Sequence, residues 1–148
     1  MLHEKITSEK APKAIGPYSA GVCIGDYIIL SGQLGIDPAT GELKEGIEEE
    51  TKQSIDNVEA LLKEKGLDLS YVLKTTVYLT DMNDFAKVNA IYGERFSDPY
   101  PARSCVQVAA LPKGGHVEIE AFAIDTRALE VVCNGEGECC CGNCCHEE

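Results

Sequence analysis

The chain reads as an α+β protein with one mixed β-sheet and two helices on one face of it, and three observations carry that reading. Two apolar runs, GVCI (21–24) and YIILS (27–31), flank a two-residue Gly25-Asp26 loop, which is a hairpin signal. Ile47, Thr51, Ile55, Val58, Leu61 and Leu62 recur at helical spacing. YVLKTTVYL (71–79) is rich in β-branched and aromatic residues, as strands are.

In chain order, HEKITS (3–8) predicts a short edge strand, and Gly16-Pro17 sets a turn or extended segment before the hairpin. DPATG (37–41) is turn chemistry. The first helix is predicted near 47–65. Its N-terminus carries Glu48, Glu49 and Glu50, its end carries Lys63 and Lys65, and Gly66 is placed to cap it. On the 71–79 strand, Leu73, Thr75, Val77 and Leu79 share one face. Asp81 to Asn83 offer caps for a second helix near 83–95, with Phe85, Val88, Tyr92 and Phe96 as its apolar stripe. DPYPA (98–102) stops it. RSCVQVAAL (103–111) and HVEIEAFAI (116–124) are then expected as a second hairpin across Pro112-Lys113-Gly114-Gly115.

The 148 residues fit a single core, and 44% hydrophobic with 26% charged residues is an ordinary globular balance. No run of about 18 apolar residues is present, so no membrane span is expected. The start, Met-Leu-His-Glu-Lys, shows no secretion signal, and the expected compartment is the cytosol. Residues 128–148 hold five acids and no Lys or Arg, and the remaining body sets thirteen basic against twenty acidic side chains, or −7 of the total −12. Both parts repel a phosphate backbone, so nucleic-acid binding is disfavoured. Of eight cysteines only Cys23 and Cys105 lie in the body, so the pattern is a thiol-rich tail rather than a disulfide framework.

The last two strands carry the chemistry. Alternation places Val106, Val108 and Ala110 opposite Arg103, Cys105 and Gln107, and Val117, Ile119, Ala121 and Ala123 opposite His116, Glu118, Glu120 and Phe122. The expectation is an apolar face for the helices and a polar face with Arg, Cys and Glu, exposed or available to a partner subunit. Arginine's planar fork can hold a small carboxylate by two parallel hydrogen bonds, and a glutamate on the neighbouring strand can activate water. The same residues also fit an ordinary cross-strand Arg–Glu ion pair.

The stretch PARSCVQVAALPKGGHVEIEAFA (101–123) resembles the signature of the RidA (YjgF) family. KAIGPYSAGV (13–22), LSGQLGIDPATGEL (30–43), QSIDNVEALL (53–62) and KTTVYLTDMNDFAKVNAIY (74–92) match in order, so the resemblance spans roughly residues 3–126. It implies a chorismate-mutase-like (YjgF-like) homotrimer with sites in clefts between subunits. It implies cofactor-free hydrolysis of 2-imino acids or enamines, such as 2-iminobutanoate and 2-iminopropanoate, to 2-oxo acids and ammonia. By position, Arg103 would hold the substrate carboxylate and Glu118 would orient the attacking water. Tyr18, Ser31, Asn89, the Gly32 backbone and the Cys105 side chain would line the cleft. Cys105 has no sequence-local His and reads as a small wall residue rather than a nucleophile.

Taken singly, Tyr18 also fits a packing aromatic, Ser31 a local backbone partner and Gly32 a purely backbone role. Asn89 also fits a solvated helix residue, Glu118 an exposed strand residue and His116 an exposed one. Alternative functions are a non-catalytic trimer that binds small carboxylate metabolites, and the endoribonuclease or translation-inhibitor activity that the family's names also carry.

The family-like domain is assigned to residues 1–127, and 128–148 is an acidic, Cys-rich tail outside the family pattern. Cys141 and Cys144 have the C-x-x-C spacing that lets two thiolates reach one metal ion, and Cys145 and His146 could complete a set for zinc or another soft metal. A plain acidic tail and a redox role are the alternatives.

Overall fold

A computed structural model describes residues 2–129. Its elements are β1 (Glu4–Ile6), β2 (Gly21–Ile24), β3 (Tyr27–Leu34), α1 (Ile47–Lys63), β4 (Val72–Leu79), α2 (Phe85–Arg95), β5 (Ala102–Gln107) and β6 (Val117–Ile124). Six strands form one sheet in the order β1-β2-β3-β6-β4-β5, antiparallel except for the β4–β5 pair. This is the expected mixed α+β sheet.

The β2–β3 hairpin turns at Gly25-Asp26 as expected, pairing Ile24 with Tyr27. The helix α1 forms because its apolar residues fall on one side: Ile55, Val58, Leu61 and Leu62 are fully buried. Each contributes about 1.5–3 kcal/mol of transfer free energy against the sheet. Gly66, at φ 72°, lets Leu67 N–H return to the Leu62 carbonyl (3.1 Å) and closes the helix end. Four polar residues of α1 are also buried: Thr51 Oγ1 donates to Ile47 O of the same helix (2.6 Å), and the other three reach outside it. Ser54 Oγ donates to Gln33 O (2.8 Å), and Asn57 Nδ2 donates to Leu34 O and Ile36 O (3.0 and 2.9 Å). Glu50 is 1% exposed and accepts His116 N–H at 2.9 Å, with His116 Nδ1 at 2.6 Å from its other oxygen. Glu50 is thus a buried tether for the start of β6, not one of a set of solvated helix-end acids. The His116 side chain is 59% exposed, as expected, yet paired.

Three strand-level expectations are overturned. First, β5 and β6 form no hairpin, because β4 lies between them. The helix α2 is a crossover connection that returns β5 parallel to β4, at the sheet edge, and a connection over 108–116 then steps past β4 to β6. Second, β5 presents its faces the other way. Arg103 is level with Thr75 and Cys105 with Val77, both on the helix-covered side, whereas Val106 is 43% exposed on the open side. Third, a register shift between Val72 and Lys74 changes the alternation of β4, so Val72 is buried and Leu73 is 48% exposed.

Candidate active site

Arg103 lies on the helix-covered side of β5 against a single stripe of α2. Phe85, Asn89 and Tyr92 are spaced i, i+4, i+7 on that helix and all reach it. Arg103 Nη2 donates to Asn89 Oδ1 at 2.7 Å. Its Cζ lies 4.5 Å from the Tyr92 ring centroid and 5.7 Å from that of Phe85. The other two arginines are paired with acids, Arg95 with Asp56 and Glu59 and Arg127 with Asp125. Among the described residues no carboxylate is ion-paired with Arg103. Its charge is held by an amide oxygen and two aromatic faces, which leaves N–H donors for an anion. The aromatic contacts are worth about 0.5–2 kcal/mol, less than a well-formed bidentate carboxylate bond, so a ligand can bind without competing with an internal acid.

Cys105 follows Arg103 on the same face and is half-buried. Burial pushes its thiol up, and the Arg103 charge opposes that only in part. A neutral thiol is a wall group rather than a nucleophile, in line with the sequence reading.

The second cluster stands elsewhere. Tyr18, Ser31, Gly32 and Glu118 line one cavity of about 750 Å³, with Ile36 and Lys113 among its other walls. A bulge makes this site. The β3–β6 register steps from Leu30↔Ala121 to Gln33↔Ile119, so β3 carries one extra residue at Ser31-Gly32. Ser31 Oγ donates to Ser19 O at 2.7 Å, and Gln33 Nε2 donates to Ser31 O at 3.0 Å. The first bond, with Ser31 N–H donating to Ala20 O at 2.9 Å, ties the bulge to the segment that carries Tyr18, which is 49% exposed.

Gly32 is needed here for close approach. A Cβ built on it would overlap Glu118 Oε1 and lie 2.6 Å from Glu118 Cδ. Burial, and then the Glu120 charge two residues along the same face, push the Glu118 carboxyl up. Glu120 itself accepts from Tyr78 Oη at 3.2 Å.

The expected site residues thus fall into two groups. Arg103, Asn89 and Cys105 meet on the helix-covered side. Tyr18, Ser31, Gly32 and Glu118 meet at the cavity, with Glu118 level with Tyr78 on the open side. Arg103 and Glu118 are neither on neighbouring strands nor on one face, so the cross-strand ion pair is excluded and one chain does not unite them. Sequence reasoning missed the seat of the arginine. The stripe Phe85…Tyr92 was read only as core, although Asn89 between them on one helical face was the available signal. It also missed Glu120 as the neighbour that acts on Glu118.

Residues 8–125 match the family model described as Endoribonuclease L-PSP. The chain belongs to the RidA/YjgF family. A 2-iminobutanoate/2-iminopropanoate deaminase of Capra hircus is 52% identical over 125 residues, 84% of this chain and 91% of that protein. The crystal structure of RidA from an Antarctic Psychrobacter superposes with TM-score 0.81 at 47% identity, over 82% of this chain and 99% of the other. Escherichia coli TdcF, solved with bound serine, gives TM-score 0.79 at 43% identity, over 82% and 98%. Among the described residues no group of three or more His, Cys, Asp or Glu side chains could hold a metal ion. The metal set expected at Cys141, Cys144, Cys145 and His146 lies outside the described residues, as does nearly all of the 128–148 tail. No helix of the described residues is long and apolar enough to cross a membrane.

Proposed function

We propose that this protein hydrolyses reactive 2-imino acids of the size of 2-iminobutanoate and 2-iminopropanoate, at sites that two copies of the chain complete together. The observation that carries the reading is Arg103, a guanidinium seated on aromatic rings with no carboxylate paired to it among the described residues. Relatives about half identical that bear the deaminase name support the reaction, and a relative solved with bound serine supports an amino-acid-sized ligand.

The chemistry asks little of the protein. An iminium carbon is already electrophilic, so the site must fix it and deliver water. Arg103 binds the carboxylate and orients the imine. Glu118, held up by burial and by Glu120, is a base stronger than an ordinary carboxylate. It takes a proton from water as the oxygen adds to the iminium carbon, forming the carbinolamine. That proton then passes to the amine, the C–N bond breaks as ammonia leaves, and the hydroxyl proton goes back to Glu118 and on to solvent, which leaves the 2-oxo acid. Water is the only co-reactant in this balance.

The split of the two residue groups supports a shared site. One chain supplies the Arg103 side, and its neighbour supplies the Glu118 cavity. The open sheet face supports an assembly on the same grounds, since Tyr27 and Ile29 on β3 are 53% and 51% exposed and Val106 on β5 is 43% exposed. A homotrimer of the 1–127 domain satisfies both. The net charge of −12 opposes an RNA substrate.

The test couples a threonine dehydratase to this protein and follows 2-oxobutanoate release while semicarbazide traps free imine. The wild type is expected to shorten the imine lifetime and Arg103→Ala to abolish the effect. Equal acceleration by both, or none by either, overturns the proposal. A carboxylate-binding protein without activity would bind 2-oxobutanoate and leave the lifetime unchanged.

A further inference from the structure

We infer that Tyr92 is a positioning residue for the reaction, the rigid platform that aims the Arg103 guanidinium. The inference rests on Arg103 as the carboxylate anchor. Tyr92 is 3% exposed and would ordinarily count as core. Its surroundings are more specific than packing requires. The hydroxyl shares a hydrogen bond with buried Thr75 Oγ1 at 2.7 Å, which fixes the far end of the ring to β4. Phe96 stacks on the ring at 4.2 Å between centroids and 22° between planes, which fixes its tilt. Arg103 Cζ lies over the ring at 4.5 Å. Phe96 and the guanidinium thus both pack against the Tyr92 ring.

The consequence is geometric. Arg103 has several freely turning side-chain bonds, and an unsupported fork would sample many orientations at a rotamer-entropy cost on binding. Thr75 pairs level with Arg103 across the β4–β5 ladder, so the strand that carries the arginine and the anchor of its platform share one register. Asn89 holds one edge of the fork, and Tyr92 holds its plane. A carboxylate then meets a pre-aimed pair of N–H groups.

The test compares Tyr92→Leu and Tyr92→Phe with the wild type, with thermal unfolding as the folding check. KM in the coupled imine assay and the Kd for 2-oxobutanoate are measured. Loss of the π face in Tyr92→Leu is expected to raise both roughly 3- to 30-fold, with kcat held to within about twofold because the lost term is uniform binding. Tyr92→Phe keeps the face and the Phe96 stack, and should lie within about threefold of wild type in both constants. Tyr92→Met fills more of the ring's volume and repeats the Leu test if that variant does not fold. Unchanged KM and Kd in a folded Leu or Met variant overturn the inference, whereas a folded Phe variant as damaged as the Leu one supports it and assigns the positioning to the Thr75 anchor. If the wild type binds 2-oxobutanoate but leaves imine lifetime unchanged, the deaminase reading falls while the Tyr92 pattern in Kd still decides this inference. Absence of binding by the wild type removes the anchor and the inference together.

Discussion

The Arg103 side and the Glu118 side of this molecule are built by opposite means. Arg103 sits on a smooth surface made by regular structure: one parallel strand and one helix, with the contacts at i, i+4 and i+7. Glu118 sits beside an irregularity, where a bulge and a glycine open the space that its carboxylate fills. The first arrangement fixes a permanent charge that pairs with no carboxylate among the described residues. The second shifts a titratable group away from its usual range. Binding needs the first property and proton transfer needs the second, and each half supplies only one.

The strongest way to break that comparison is to separate the halves on different chains. Arg103→Ala is expected to lower kcat/KM on the order of 10²- to 10³-fold, and Glu118→Gln to lower kcat by a similar factor. If neighbouring copies share the site, co-refolding equal amounts of the two dead variants should restore roughly a quarter of wild-type activity, since a quarter of random interfaces pair an intact Arg103 with an intact Glu118. Each chain acting alone would give no recovery.

A smaller effect is expected at the bulge. Gly32→Ala places a methyl group where the Glu118 carboxyl lies, so the acid must swing away. Misplacement of a catalytic group by about 1 Å costs up to about 100-fold in rate. The kinetics of the imine assay should show this as a loss in kcat, with 2-oxobutanoate affinity, an Arg103 property, nearly kept.

The pH profile sharpens the comparison further. In the proposed reaction Glu118 acts as its carboxylate, and its pKa is raised, so activity should climb with pH through a midpoint above the ordinary glutamate range. Glu120→Gln removes the second cause of that shift and should move the midpoint down, whereas Arg103 variants should not move it. Stability carries the same signature. The folded chain holds this proton more tightly than the unfolded one, so stability falls as pH rises from the unfolded pKa through the raised folded one and levels above it. Denaturant titrations across that window should show the decline in the wild type and not in Glu118→Gln.

The smallest effect is expected at Cys105. Its thiol is held neutral by burial, so Cys105→Ala should change kcat by no more than a few-fold, and alkylation at Cys105 itself, read by peptide mapping of the folded protein treated at neutral pH, should be slow. Loss of activity as large as that of Arg103→Ala would make the thiol a participant.

Much of the fold was legible because it rests on local patterns. The Gly25-Asp26 hairpin, the α1 stripe and its Gly66 cap, and the position of α2 all follow from spacing and turn chemistry within about twenty residues. The candidate site residues came from family motifs, which name positions without saying which of them meet. The errors were non-local. Pro112-Lys113-Gly114-Gly115 looked like a hairpin turn because nothing near it reveals that β4, some thirty residues earlier, comes between. The open face was assigned to Arg103 because β5 alternates cleanly, and alternation has no sign of its own.

The sequence alone determined the elements, the mixed architecture and the chemical types available, since periodicity and side-chain chemistry are properties of short stretches. Only the tertiary structure decided that Arg103 rests on Tyr92 while Glu118 lies on the other side of the sheet. Strand pairing sets that outcome, and a pairing joins residues far apart in the chain, whose choice of face depends on which neighbour and which register they find.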